Sequence, residues 1–268
     1  MKTFAINGNW IEDADHFGHA QALQFGAGLF ETIRVQGKTP LLWDAHMKRL
    51  RASAAALGLD AGLDTEQLER WAGKLLQENI HEFCALKIIW ISENNGGKAL
   101  FYFRPLGYTK EQRIQGLKAG LGEIRRNPFS RISAHKTLNY LDNLLERRAA
   151  KALGNDESIL LNVLDEVAEG TATNVFIQRN GALITPPAEA GILPGIQRKA
   201  ILEVCHQQGI ILTEKAVSLE MLTQAEGIYL SNALMGFMPV SNFMGNCYDK
   251  DESLVRLINR LTGIIDEI

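Results

Sequence analysis

The sequence predicts a mixed α+β protein in two parts. Two observations carry that prediction. Short apolar stretches bounded by Gly, Asn and Pro recur along the 268 residues and read as strands. Between them lie segments with helical apolar spacing and helix start or stop residues. A connector at residues 106–118 divides the chain, so the parts are expected at 1–110 and 111–268.

The elements follow in order. FAING and the following W-I read as two short strands around a turn at Asn7-Gly8. GLFETIRVQGKTPLLW reads as strand, Gly turn, strand. Asp44 is expected to cap a helix, AHMKRLRASAAALGL, which Gly58 helps to end, and residues 65–77 form a second amphipathic helix. ALKIIWISENNGGKALFYFRPL is a hairpin turning at 94–97. In the second part LKAGLGEIRR is a strand, and ISAHKTLNYLDNLLERRAAKAL is a loop to Lys136 followed by an amphipathic helix. ESILLNVLDEVAEG is an apolar strand entering a turn. TNVFIQRNGALITPP is a hairpin at Asn180-Gly181, and GILPGIQRKAILEVCHQQG is a loop feeding a helix. GIILTEKAV is a strand, SLEMLTQA a short helix, GIYLSNALMGFMPV strand and loop, and 253–265 a last helix.

Composition narrows the function. Hydrophobic residues make up 46% and charged residues 22%, with a net charge of −3. That is an ordinary globular balance with no basic excess for nucleic acid or a membrane surface. The start MKTFAINGNW has no signal-peptide core, so a cytoplasmic protein is expected. Cys84, Cys205 and Cys247 are scattered and odd in number, which argues for reduced packing residues and against a metal site.

Four features could carry chemistry. Lys136 stands beside Thr137, Leu138 and Tyr140, with no acidic residue within five positions. It is either a solvated lysine at a helix start or a partly desolvated amine able to act as nucleophile or base. Glu169 follows an apolar strand and precedes Gly170; it is either an exposed turn carboxylate or one aimed into a cleft to hold a protonated ring nitrogen. Gly195 precedes a helix opening Ile196-Gln197-Arg198, where backbone N–H groups and the helix dipole can cradle phosphate. Arg49, on the first helix, is either solvated or a phosphate clamp. An amine, a carboxylate, a phosphate cradle and a cationic clamp are what holding pyridoxal 5'-phosphate requires.

In these motifs the chain resembles the class IV aminotransferases, the fold-type IV pyridoxal-phosphate enzymes. The matching motifs are His46-Met-Lys-Arg49-Leu50, Lys136-Thr-Leu-Asn139, Glu169-Gly-Thr-Ala-Thr-Asn174-Val-Phe176 and Gly195-Ile-Gln-Arg198, in which Gln197 replaces the usual Thr. The resemblance implies a smaller N-terminal α/β sandwich, a larger C-terminal β-rich pseudo-barrel with helices, and the cofactor at the domain interface. It also implies a homodimer acting on a small molecule. Lys136 would bind the cofactor covalently and Glu169 would hold its ring nitrogen. Arg49, the backbone of Ile196 and Gln197, and Asn232 and Ala233 would take its phosphate.

Within the family, three features are similar to 4-amino-4-deoxychorismate lyases, which make 4-aminobenzoate and pyruvate for folate. The chain is short, residues 231–240 read SNALMGFMPV, and Thr32 stands where lyases place a threonine thought to protonate the leaving group. The alternative is a D-amino-acid or branched-chain aminotransferase, to which Glu31 is equally suited. The turn ENNGG lacks the arginine common in lyases, so Lys98 or Arg104 is expected to supply positive charge for the substrate.

Overall fold

The computed structural model describes residues 4–6, 9–10, 21–78, 81–93 and 96–264. The expected turn at Asn7-Gly8 and residues 94–95 of the one expected at 94–97 lie outside the described residues; Gly96 and Gly97 belong to the strand Gly96–Arg104, paired with Glu93 and Ser92. The chain forms two compact units. The first runs to Gly107 and takes back His135–Asn139; the second holds Tyr108–Ala134 and the chain from Tyr140 onward.

The first unit contains β1 (Phe4–Ile6), β2 (Asn9–Trp10), α1 (Gln21–Phe25), β3 (Gly28–Gln36), β4 (Thr39–Pro40), α2 (Trp43–Leu57), α3 (Thr65–Glu78), β5 (Phe83–Glu93) and β6 (Gly96–Arg104). Its six strands form one antiparallel sheet in the order β2-β1-β6-β5-β3-β4. Period-two alternation sorts its faces. Leu29, Ile33 and Val35 of β3, with Leu86, Ile88 and Trp90 of β5, pack on Met47, Leu50 and Ala54 of α2 and Leu68, Leu75 and Leu76 of α3. Each fully buried Leu or Ile contributes about 1.5–3 kcal/mol. Phe30, Thr32 and Arg34 point to the second face. There the segment around Lys136 joins β3: Phe30 N–H donates to the Lys136 carbonyl and Leu138 N–H to the Gly28 carbonyl, both at 2.9 Å, and Leu29 pairs with Thr137. This pairing places His135–Asn139 in the first unit, although the sequence groups it with the second part.

One helix start differs from expectation. The cap of α2 is Leu42, in a left-handed conformation with no side-chain bond, and Asp44 lies inside the first turn. There its carboxylate favours the positive end of the helix dipole without capping it. Gly58 does end α2, at φ 65°, donating to the Ala54 and Ala55 carbonyls.

The second unit contains α4 (Lys110–Gln115), β7 (Leu117–Arg126), α5 (Leu141–Ala152), β8 (Glu157–Asn162), β9 (Val167–Gly170), β10 (Asn174–Arg179), β11 (Ala182–Thr185), α6 (Ile196–Gln208), β12 (Leu212–Glu214), α7 (Leu219–Thr223), β13 (Gly227–Asn232), β14 (Gly236–Phe243), β15 (Asn246–Cys247) and α8 (Glu252–Leu261). Six strands, β10-β13-β14-β7-β8-β9, close on themselves because Asn174 of β10 pairs with Glu169 of β9. The barrel is filled by alternating side chains such as Ile159, Val175, Ile177, Leu230, Met238 and Val240. Outside it, Phe176, Tyr229 and Phe237 pack on Ile201 of α6 and Ile258 of α8, with Tyr229 stacked on Phe237 at 4.6 Å.

Several elements depart from expectation. The connector holds a helix, α4, with a capping box between Thr109 and Gln112. ESILLNVLDEVAEG and GIYLSNALMGFMPV each make two strands, since barrel closure needs partners on both sides. The last helix stops at Leu261, with Gly263 at φ 78° beyond it; Ile265 lies outside the described residues. In α5 the amphipathic pattern is inverted. Leu141, Leu144 and Leu145 are exposed, while Asn143 and Glu146 are buried.

Candidate active site

In the first unit, the second face of the sheet gathers the amines. Lys136 Nζ lies 4.4 Å from the centre of the Phe30 ring. Lys87 Nζ lies 4.2 Å from the same ring and 5.8 Å from that of Tyr102. Thr32 is paired with Lys87, and Lys87 with Tyr102, so these three stand in one row across β3, β5 and β6. Lys98 and Arg104 lie on the same face of β6, opposite Ile91 and Ala85. Burial lowers the Lys87 pKa, and the nearby Arg104 charge lowers it further.

Glu31 lies on the other face, among the helices, and is 1% exposed. Its Oε1 accepts from Arg49 Nε at 2.9 Å and its Oε2 from Arg49 Nη2 at 2.6 Å. His46 Nδ1 lies 2.7 Å from Oε2. Burial alone would raise the Glu31 pKa, but Arg49 and then His46 outweigh it and hold the carboxyl down at about 2. Burial lowers the His46 pKa against the pull of Glu31, and a proton on Nδ1 donates to the carboxylate. Thus Glu31, expected near substrate, orients Arg49, expected at phosphate. The bidentate geometry locks the guanidinium.

In the second unit, Glu169, Asn174 and Ser231 form one row across β9, β10 and β13. Glu169 Oε1 pairs with Arg126 Nε at 3.0 Å, and its Oε2 accepts from Leu193 N–H at 2.8 Å. Asn174 Nδ2 donates to the Leu193 carbonyl at 3.0 Å. Asn174 approaches the start of α6 so closely that a Cβ on Gly195 would stand 2.0 Å from its Oδ1. A side chain at 195 would push the Asn174 amide aside, and Gly195 leaves the first-turn N–H groups without a side-chain cap. Among the described residues, three buried side-chain atoms lack a hydrogen-bond partner: Thr173 Oγ1, Ser231 Oγ and Arg198 Nε. Thr173 precedes Asn174, Ser231 pairs with it, and Arg198 lies in the helix turn it approaches. Such orphans mark a place where a polar ligand completes the bonding.

The remaining expected residues are placed as follows. Ile196 is buried in the first turn of α6. The Gln197 side chain donates to Thr262 Oγ1 at 2.8 Å, so only its backbone N–H can serve an anion there. Asn232 Nδ2 donates to Tyr108 and the Ala172 carbonyl, and its Oδ1 accepts from Leu234 and Met235 N–H. Its amide therefore holds the turn in which half-buried Ala233 stands.

Four residues were not singled out from the sequence. Lys87 interrupts an apolar strand, a signal that was legible. Arg126, Tyr140 and Glu157 gave none. Tyr140 donates to the Thr171 carbonyl at 2.9 Å, and Asn143 Nδ2 to the same atom at 2.8 Å. Burial, then Glu169 and Glu157, push the phenol pKa up, so it stays protonated. Glu157 accepts from the N–H groups of Ser158, Thr171 and Ala172 and from the Thr171 hydroxyl. It anchors the 171–173 loop from below. Among the described residues no His, Cys, Asp and Glu cluster could hold a metal, and no helix is long and apolar enough to cross a membrane.

Known proteins resemble this chain in sequence and fold. The aminodeoxychorismate lyase of Bacillus subtilis is 29% identical over 251 residues, covering 87% of this chain and 84% of its own. The branched-chain-amino-acid aminotransferase of Escherichia coli is 28% identical over 264 residues, covering 90% and 84%. A crystal structure of the Escherichia coli branched-chain enzyme superposes with a TM-score of 0.88 at 24% identity, covering 99% of this chain and 96% of that one. A hypothetical aminotransferase from Mycobacterium tuberculosis, solved in a pyridoxal-phosphate-bound form, has a TM-score of 0.85 at 23% identity, covering 97% and 98%. The profile of the family Amino-transferase class IV matches residues 28–243, and the chain belongs to that family of pyridoxal-phosphate enzymes.

Proposed function

We propose that this enzyme is a 4-amino-4-deoxychorismate lyase, releasing 4-aminobenzoate and pyruvate for folate synthesis and acting as a homodimer. The observation that carries the reading is Thr32. Its hydroxyl stands on the β3 face that carries Phe30, opposite Lys87, and Phe30 is the ring that Lys136 approaches. The Bacillus subtilis lyase supports the same reading.

The residues fit the cofactor. The unpartnered hydroxyls of Thr173 and Ser231 and the glycine-opened start of α6 suit a phosphate. The backbone N–H groups of Ile196, Gln197, Asn232 and Ala233 would complete its holders in the second unit, and the resemblance to the family adds Arg49. Bound pyridoxal phosphate supplies an electron sink for a carbanion. Lys136 would hold it covalently, and its Nζ would take the proton from the carbon bearing the substrate amine. Glu169, steadied by Arg126, would keep a proton on the ring nitrogen. Thr32 would relay to the methylene carbon of the departing enolpyruvate the proton that Lys136 took up. Lys87, with Lys98 and Arg104 along the same face, attracts the substrate carboxylates.

A second reading, transamination of a D- or branched-chain amino acid, is favoured by an apolar row. Phe30, Ile89 and Leu100 stand in register beside Lys87 and suit an aliphatic side chain. The two separate in one cuvette. Aminodeoxychorismate, made in place, is added to the yellow protein without any keto acid. Release of 4-aminobenzoate and pyruvate, lost in Thr32→Val, is the expected result. Bleaching by an amino acid with no 4-aminobenzoate formed would replace the lyase with the transaminase.

A further inference from the structure

We infer that Glu146 is a positioning residue for Glu169, acting through a bulge in β7 and the Arg126 guanidinium. β7 and β8 run in parallel register to Leu121↔Ile159 and resume at Arg125↔Leu161. β7 therefore takes four residue steps where β8 takes two. Without those two extra residues, Ile124 would stand opposite Asn162, and Arg126 would lie two positions further on, roughly 6–7 Å away. The bulge is what brings Arg126 back opposite Asn162. Bulges beside active sites re-aim side chains in this way.

A bulge leaves N–H groups without ladder partners. Here both go to one acceptor. Glu123 N–H and Ile124 N–H donate to Glu146 Oε2 at 3.2 and 3.4 Å. Glu146 is a buried carboxylate on α5. Gly122 makes the approach possible, since a Cβ there would stand 3.1 Å from the Glu146 carboxyl and 2.3 Å from Leu160 Cδ2. Arg125 Nη1 closes the same loop by donating to the Gly122 carbonyl at 3.3 Å. Immediately beyond, Arg126 Nη2 donates to the Ser133 carbonyl at 3.0 Å, and its Nε reaches Glu169 Oε1 at 3.0 Å. The line from α5 to Glu169 is thus unbroken, and it explains why α5 buries a carboxylate.

The inference rests on the assignment of Glu169 to the cofactor. The test compares holoenzymes carrying Glu146→Leu, Glu146→Gln, Arg126→Leu and the Glu146→Leu/Arg126→Leu pair. Cofactor dissociation constant, the pH profile of the visible band and thermal midpoint are measured on each. Glu146→Leu should weaken cofactor binding about ten-fold, the scale of a lost charge-assisted hydrogen bond, and shift the pH profile. Glu146→Gln keeps an acceptor oxygen and should retain both. In the Arg126→Leu background, Glu146→Leu should add nothing. An equal, additive loss in that background overturns the inference, as does a lowered midpoint with affinity and pH profile unchanged. If Arg126→Leu itself moves neither, the Glu169 assignment fails and takes the inference with it.

Discussion

In the first unit a buried carboxylate, Glu31, is held by side-chain partners, Arg49 and His46. In the second, Glu157 is held by backbone N–H groups and one hydroxyl. The consequences differ in sign. A full cation keeps Glu31 ionised down to about 2. Burial pushes the Glu157 pKa up, against the Thr171 hydroxyl, the Arg147 charge and the N–H groups. Neutral donors compensate a buried charge less completely than a cation does. The first arrangement locks a guanidinium; the second shapes the 171–173 loop.

The largest expected effect separates chemistry from support. Lys136→Ala should lower turnover at least ~10⁴-fold and abolish the visible band, whereas neither Glu31 nor Glu157 variants should abolish that band. A visible band retained in Lys136→Ala would sink the assignment of the lysine.

Next comes stability. Glu31→Leu strands Arg49 and should cost about 3–5 kcal/mol in denaturant unfolding. Glu157→Leu strands only neutral donors and should cost about 1–3 kcal/mol. Equal costs would break the comparison.

The pH dependence sharpens it further. The Glu31 pKa falls on folding from an ordinary 4.5 to about 2. Its contribution, on the order of 3 kcal/mol, is complete above 4.5 and lost as pH falls toward 2. The Glu157 pKa rises on folding, so its effect runs the other way: stability declines as pH rises above 4.5 through the raised value. Urea melts across that range should flatten in opposite senses for Glu31→Gln and Glu157→Gln. Slopes of the same sign would contradict the two mechanisms.

The smallest effect concerns the loop that Glu157 anchors. Asn232→Ala removes the bonds to Tyr108 and Ala172 and should cost about 1–2 kcal/mol. No change in the thermal midpoint would show that the loop stands on Glu157, Tyr140 and Asn143 without Asn232.

Local pattern and motif spacing were enough to determine the α+β class, the limits of β7, the hairpin at Asn180-Gly181 and the motifs around Lys136 and Glu169. Each depends on periodicity, turn chemistry or residues near in the chain. Tertiary structure decided what lies across it. Barrel closure turned an expected turn and an expected loop into extra strands and set Glu169 opposite Asn174. The pleat put Glu31 and Thr32, neighbours in sequence, on opposite faces, one beside Arg49 and the other beside Lys87. The leucines of α5 promised a buried apolar stripe, yet Asn143 and Glu146 are buried instead, because β7 and the 171–173 loop present backbone groups to which they hydrogen-bond. Which side of a helix is buried depends on the surface it meets, and that surface comes from strands far away in the chain.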